Sequence, residues 1–466
     1  MRQLLNCQVR NSLWRMLNMK KLLSVLLGLL CVVAANAAQI ANVEYVHKMI
    51  EHKWDISVPY NPNLSDVRKI ANMKYLLTAI DVANEILNGE KTTDYGNGEF
   101  ATTQIADTVA TNTAVETLVK KIDKGPEFTL TTTPDTNSFE FSISAAGEFV
   151  VDWGDGTVET ITKPDTTNTT YSHNYSTADE YTIGLSGQAT AYNTSTSTAA
   201  ISFYVGSNTS AKETNVKKIA SIDGSLGAIF GTLSSDTNNQ PRFYYTFSGA
   251  TNMTGSIPAN LFTGISGAPA SRMFDSTFYK CSGLTGAIPD GLFGNLTGAP
   301  ASYMFNYTFY KCSGLTGAIP DGLFAGISGA PAEYMFSSTF SGCSGLTGAI
   351  PAGLFAGISG APAYAMFDST FYGCSGLTSI PENLFGDISG TLYGHELFAM
   401  FAGCTSLTGP SARINGQYLY EIWPDALFLN ATGSYDIGPY YHCTGLSDYN
   451  QIPHQWKGYV DYIGGL

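Results

Sequence analysis

The stretch FYKCSGLTGAIPDGLF occurs twice in this chain without a change, at residues 278–293 and again at 309–324. Looser copies follow at 340–355 and 371–385, and an eroded copy begins at Phe243. The cysteines of the four clear copies and the next one are 31, 31, 31 and 30 residues apart, because LTGAIP shortens to LTSIP in the fourth copy. A fixed internal period of this length is typical of proteins in which each repeat is one supersecondary unit packed on the next.

Apolar residues recur at the same positions of each repeat, so stacked repeats would align them in columns. Isoleucine, leucine and phenylalanine each provide one column. A single unit cannot bury these side chains alone, whereas a stack lets each unit cover its neighbour. We therefore predict a solenoid whose neighbouring units pair as strands about 4.8 Å apart. The columns contain Ile257, Ile288, Ile319, Ile350 and Ile380; Leu284, Leu315, Leu346, Leu377 and Leu407; and Phe247, Phe278, Phe309, Phe340, Phe371 and Phe401.

A cysteine occupies one fixed position of the repeat. Stacking would bring neighbouring cysteines near disulfide range, but with side chains parallel rather than converging. The eroded first copy has Ala250 at this position, a small apolar residue that can form no bond and bind no metal. We therefore favour a structural ladder of buried free thiols, while export to an oxidising compartment keeps disulfides open as an alternative. The ladder contains Cys281, Cys312, Cys343, Cys374 and Cys404.

The sequence MKKLLSVLLGLLCVVAANAAQ, which begins at Met19, has the three parts of a secretory signal peptide. Two lysines precede an apolar run, and Ala35-Asn36-Ala37 forms a small-residue cleavage site. Residues 1–37 are therefore interpreted as an upstream extension followed by a signal peptide. No later segment is long and apolar enough for a transmembrane helix, so we expect a secreted or cell-surface protein.

Two composition classes follow the signal peptide. Residues 38–124 show helical periodicity, with a Ser65/Asp66 cap and a stop at Gly89, and they predict a helical domain through which the protein could form a homo-oligomer. Beyond Pro126 short alternating runs of Thr, Ser, Val, Tyr and Phe predict an antiparallel sandwich. Asp155-Gly156 suits a tight hairpin turn that needs a positive φ.

The region 125–206 resembles the PKD-like β-sandwich domains of extracellular proteins. The resemblance is carried by Asp152-Trp153-Gly154-Asp155-Gly156-Thr157, then by His173-x-Tyr175 and Tyr181-Thr182-Ile183. It implies a sandwich in which Trp153 is a core residue. Two carboxylates three residues apart are too few for a calcium site, so Asp152 and Asp155 are interpreted as turn residues.

The region 207–410 resembles the BspA-type leucine-rich repeats of bacterial surface proteins. The resemblance is carried by a Met-Phe pair followed by Phe-x-x-Cys-x-x-Leu-x-x-Ile-Pro, and a PKD-like domain before such repeats is an arrangement of that group. Residues 411–466 read as an atypical last repeat and a C-terminal cap. The expected fold is thus multidomain: an N-terminal helical segment, a PKD/Ig-like β-sandwich, and a leucine-rich-repeat-type solenoid of about 31-residue units with a C-terminal cap.

The composition excludes some classes of function. The formal net charge is −14, which argues against nucleic-acid binding. Catalysis needs titratable groups held together, and no convergent set or known catalytic motif is visible. We therefore expect no enzyme, with no catalytic residue, cofactor or metal site.

Positions that differ between near-identical repeats indicate where a ligand could bind. The triplet after Met-Phe and the pair before it vary while the core columns are kept, so they should face solvent. A surface rich in Tyr, Ser and Asn suits adaptable recognition. We expect an adhesin-like protein that binds an extracellular protein or glycan of a host or bacterial surface; the alternative is a structural, self-associating surface protein. The candidate face contains Arg272, Asp275, Tyr303, Asn306, Tyr307, Glu333, Tyr334, Tyr364 and Asp368.

Overall fold

The described part of the chain begins with two packed antiparallel sheets. The computed structural model describes residues 126–392, 394–428 and 436–460, all within one compact unit, Pro126–Leu466. The predicted signal peptide and the helical region 38–124 lie outside the described residues. The strands of the two sheets are β1 (Phe128–Thr132), β2 (Thr136–Ile143), β3 (Ala146–Asp152), β4 (Val158–Lys163), β5 (Thr169–Asp179), β6 (Thr182–Ala191), β7 (Ile201–Ser202) and β8 (Ile219–Gly224).

One sheet has five strands in the order β4-β3-β6-β1-β8, and the other has three in the order β5-β2-β7. Helix α1 (Thr209–Val216) leads into β8, which pairs antiparallel with β1. The sandwich therefore includes a strand beyond residue 206. Helix α2 (Leu226–Ile229) and a 3-10 helix (Thr237–Asn239) connect the sandwich to the repeats.

The core of the sandwich is aromatic, and it continues into the first repeat. Trp153 is 1% exposed and its ring lies 5.5 Å from that of Phe141. Phe203 stacks on Phe247 of the first repeat at 5.3 Å, and its backbone N–H donates to the carbonyl of Thr246. The sandwich thus covers the first apolar face of the repeat stack, which a solvent-facing end would leave exposed.

Each repeat consists mainly of successive turns. In the segment after Ala270, alternate backbone N–H groups donate to the carbonyl three residues earlier, as in Met273 to Ala270. The intervening N–H groups donate to the next repeat, as in Phe274 to Met304 and Phe278 to Thr308. Because every second donor points along the stack, each repeat is tied to its neighbour by a row of hydrogen bonds that satisfies buried backbone groups.

This backbone needs a left-handed residue at every fourth position. Arg272, Ser276 and Lys280 have φ values of 58°, 57° and 59°, and the same conformation recurs in the following repeats. Such a conformation costs roughly 1–2 kcal/mol for a residue with a Cβ atom. The N–H groups of all three residues donate to the next repeat, at 2.7–3.0 Å, and we infer that these bonds offset the strain.

The predicted fold class is wrong for the described residues. The strands form several small sheets that are mostly antiparallel, helices are few and short, and the repeats meet through single parallel bridges such as Gly286 with Leu315. The one longer contact pairs β9 (Gly348–Ala349) with β10 (Leu377–Ser379). No continuous leucine-rich-repeat solenoid is formed there, because the recurrent left-handed residues interrupt extended strands. The predicted N-terminal helical segment falls outside the described residues.

The last repeat is covered by a small C-terminal segment. The ring of Tyr440 stacks on Phe401 at 5.7 Å, and Trp456 stacks on Tyr440 at 6.2 Å. Trp456 is fully buried. The elements of this segment are β11 (Arg413–Ile414), β12 (Gln417–Tyr418), α3 (Leu419–Ile422), β13 (Asp436–Ile437), α4 (His454–Lys457) and β14 (Tyr459–Val460).

Candidate binding surface

The cysteine positions of the repeats lie inside the stack. All five cysteines of the predicted ladder, together with Cys443, are free and buried. The thiol of Cys343 donates to the carbonyl oxygen of Phe309 in the preceding repeat at 2.9 Å, and equivalent bonds occur along the ladder. Burial raises the pKa of Cys343 to about 12. These thiols therefore act as small buried fillers with one hydrogen bond each, not as reactive groups.

The predicted binding face is divided between buried and exposed positions. Tyr307 and Tyr364 are 37% and 39% exposed, and Glu333 is also exposed. Asp275 and Asn306 are only 1% and 6% exposed. Arg272, Tyr303, Tyr334 and Asp368 are partly buried.

The expectation that the whole variable triplet faces solvent is therefore wrong. Its third residue is a fully buried threonine in every clear repeat, and Thr308 donates its hydroxyl to the carbonyl of Phe274 at 2.9 Å. The first residue, Asp275 or Asn306, is covered by the side chains of neighbouring repeats. Close stacking of adjacent units explains both results, since a side chain of the triplet packs against its equivalents above and below.

One row of rings follows the stack beside these buried polar groups; we call it the first tyrosine row. Tyr303 stacks on Tyr334 at 4.6 Å, Tyr334 meets Tyr364 edge-on at 5.3 Å, and Tyr364 contacts His395 at 4.8 Å. The guanidinium of Arg272 lies 4.1 Å from the centroid of Tyr303 and extends the row. His395 was not among the predicted site residues, because the alignment with Tyr303 appears only when the repeats are stacked.

A second tyrosine row runs parallel to the first. Tyr279 and Tyr310 stack at 5.0 Å with their planes 7° apart, and Tyr307 meets both rings edge-on at 6.0 and 5.2 Å. Lys280 and Lys311 place their ammonium groups 5.0 and 5.1 Å from the centroids of the tyrosines that precede them. The sequence analysis omitted four of these residues, although tyrosine and lysine recur there at an interval of 31 residues.

The two rows enclose a column of buried or half-buried polar side chains at one repeat position: Asp275, Asn306, Ser337 and Asp368. Asp275 accepts hydrogen bonds from Arg272 at 2.6 Å, from Ser276 at 2.9 Å and from Asn306 at 3.2 Å. Burial raises the pKa of Asp275, while hydrogen bonds from Ser276, Arg272 and Asn306 oppose that rise. The first aspartate of the column is thus buried but well supplied with donors.

Asp368 has a poorer set of partners. Its Oδ1 accepts from the hydroxyl of Ser369 at 2.6 Å. Burial raises its pKa to about 6, and the hydrogen bond from Ser369 only partly opposes this effect. The same repeat position therefore holds one aspartate with a cationic partner and one without.

The surface offers recognition groups rather than an arrangement for catalysis. Tyrosine rings with hydroxyls, two lysines, an arginine and a half-buried carboxylate can bind a partner through stacking and hydrogen bonds. In the part of the chain that the structure describes, no group of three or more His, Cys, Asp or Glu side chains could hold a metal ion. Among the same residues no helix has the length and apolar character required to cross a membrane.

Comparisons with family models, with curated proteins and with solved structures found no match to this chain.

Proposed function

We propose that this protein is an exported binding protein of a bacterial surface or secretion, adhesin-like, which uses the two tyrosine rows of its repeat stack to bind an extracellular protein or glycan. The observation that carries the proposal is the ordered row of partly exposed tyrosines, Tyr303, Tyr334 and Tyr364, beside the second row at Tyr279 and Tyr310. Tyrosine provides a large, stiff contact area at low entropic cost. The sequence resemblance to bacterial surface repeats and the signal-peptide pattern support the extracellular location.

The covered ends of the stack favour binding over assembly by end-to-end stacking. Phe203 of the sandwich covers Phe247 at one end, and Trp456 covers Tyr440 at the other. An uncovered end would present apolar side chains and unpaired backbone groups to a second copy. The alternative function, self-association at the surface, would then depend on other parts of the chain, such as residues 38–124.

The test is binding of the protein from residue 38 to epithelial cells, matrix proteins and a glycan array. A surface variant carries Tyr303→Ser, Tyr310→Ser and Tyr364→Ser. The matched control is Leu427→Ser, since Leu427 is 59% exposed and outside both tyrosine rows. We expect saturable binding that the surface variant loses and the control retains.

Absence of saturable binding by the folded protein would refute the proposal. Light scattering on the same sample would then decide for or against self-association. Equal binding by the surface variant and the wild-type protein would remove the tyrosine rows from the recognition surface.

A further inference from the structure

Two equivalent positions of the repeat differ in a way that points to a ligand. Asp275 and Asp368 lie 93 residues apart, which is three repeats of 31 residues. In each case the residue three positions earlier has a left-handed backbone, with φ values of 58° for Arg272 and 51° for Ala365. The two sites thus share their backbone geometry and their carboxylate, and they differ in whether an arginine is present.

The first site shows how the fold accommodates a guanidinium group. Nη1 of Arg272 donates to Oδ2 of Asp275 at 2.6 Å. The plane of the same group lies over Tyr303 at 4.1 Å and near Tyr244 at 5.7 Å. An ion pair combined with ring stacking is the arrangement that arginine forms better than lysine, because its planar group bonds and stacks at the same time.

The second site has the carboxylate and the rings but no cation. Ala365 stands where Arg272 stands in the first site, and the only hydrogen bond of Asp368 among the described residues comes from Ser369. The charge of Asp368 raises the pKa of the Tyr307 and Tyr334 hydroxyls, which places both rings within its electrostatic reach. A half-buried carboxylate without a cation is unfavourable, and a cationic partner would relieve that cost.

We propose that Asp368 binds an arginine side chain of a protein partner, in the way that Asp275 binds Arg272 within the chain. The guanidinium would bond to the free carboxylate oxygen and lie among Tyr334, Tyr364 and His395. This inference rests on the proposed function and narrows it, since it selects a protein with an accessible arginine over a neutral glycan. The net charge of −14 favours the approach of such a cationic partner.

The test is a titration of the protein from residue 38, labelled at tyrosine, with the peptide acetyl-Gly-Arg-Gly-amide, followed by NMR. The control peptide contains citrulline, which keeps the planar shape and removes the charge. We expect saturable shifts of the Tyr334 and Tyr364 signals with the arginine peptide, and affinity at least about tenfold weaker with citrulline, the ratio that loss of a charge-assisted bond implies. Signals of Tyr171, which lies in the sandwich, serve as the internal control.

Two variants locate the binding group. Asp368→Asn keeps the shape and the acceptor for Ser369, and it should weaken binding at least about tenfold. Ala365→Arg should reproduce the Arg272 arrangement within the chain and abolish binding of the peptide. His395→Gln separates the contribution of the imidazole, which titrates in the same pH range as Asp368, from that of the carboxylate.

Equal affinity for the arginine and citrulline peptides, or undiminished binding by folded Asp368→Asn, would overturn the inference. Cell or matrix binding that survives Asp368→Asn would overturn it while leaving the proposed function intact. Specific binding of the arginine peptide by a protein that binds no surface or matrix partner would support the site and refute the proposed function.

Discussion

The unpaired carboxylate of Asp368 should lower the stability of the folded protein at neutral pH. Its pKa rises from 3.8 to about 6 on folding, because the charged form is buried with one hydroxyl as donor. Each pKa unit corresponds to about 1.4 kcal/mol, so ionised Asp368 costs about 3 kcal/mol. Replacement by asparagine removes the charge and keeps the acceptor for Ser369. We therefore expect Asp368→Asn to raise the free energy of unfolding by about 3 kcal/mol at pH 8.

The pH dependence gives the sign check for this prediction. Below about pH 4 the carboxyl group of Asp368 is protonated in both states, so the wild-type protein and Asp368→Asn should be equally stable. As the pH rises from about 4 to 6 the unfolded state ionises first, and the wild-type protein loses stability relative to the variant. Above the folded pKa of about 6 the difference should be constant. Urea unfolding at pH 4, 5, 6, 7 and 8, followed by circular dichroism and by tryptophan fluorescence, measures it.

The repeat supplies its own control in Asp275. Asp275→Asn removes the same charge but also the bond from Arg272 at 2.6 Å, and a bond of this kind contributes about 1.5–3 kcal/mol. We expect no gain, or a loss, of stability at pH 8. Equal stabilisation by both variants, or a gain from Asp368→Asn that does not change between pH 4 and pH 8, would refute the reasoning.

Three further predictions concern the stack. The six cysteines of the protein from residue 38 should not react with Ellman's reagent until denaturant unfolds it, because their thiols are buried; rapid reaction in buffer would contradict this placement. Thr308→Val should lower the free energy of unfolding by about 1 kcal/mol through loss of the bond to Phe274, whereas Thr285→Val, at an exposed position, should have little effect. Trp456→Ala should cost about 3–5 kcal/mol, and hydrogen exchange should then show lost protection first in the repeat that contains Phe401; unchanged protection there would show that Trp456 does not stabilise the end of the stack.

The positions of the core residues could be predicted from the sequence because they depend on repetition. Residues such as Ile319, Leu315 and Phe309 recur at a constant interval, and in the structure they are buried. The Asp-Gly turn likewise depends on two neighbouring residues, and Gly156 has a φ of 106°. Periodicity and local turn chemistry act over short distances along the chain, so one sequence is sufficient to reveal them.

The conformation of the repeat and the composition of its surface could not be predicted in this way. The alternation of turn bonds and inter-repeat bonds puts Arg272, Ser276 and Lys280 in the left-handed region, although none of them is a glycine. Glycine at the equivalent positions 342 and 373 was the one local sign of this conformation. The energy that maintains it comes from hydrogen bonds to a segment about 30 residues away in the chain, and that partner is unknown until the units are stacked.

By itself, then, the sequence determined the repeat period, the apolar columns and the strand-rich region before them. The tertiary structure alone decided that Thr308 and Asn306 turn inward while Tyr307 between them is exposed, and that Tyr279, Tyr310 and His395 belong to the candidate surface. It also decided that the sandwich and the repeats share one apolar core through Phe203 and Phe247. The physical reason is that exposure and pairing are set by neighbours in adjacent units, whereas periodicity is a property of the chain alone.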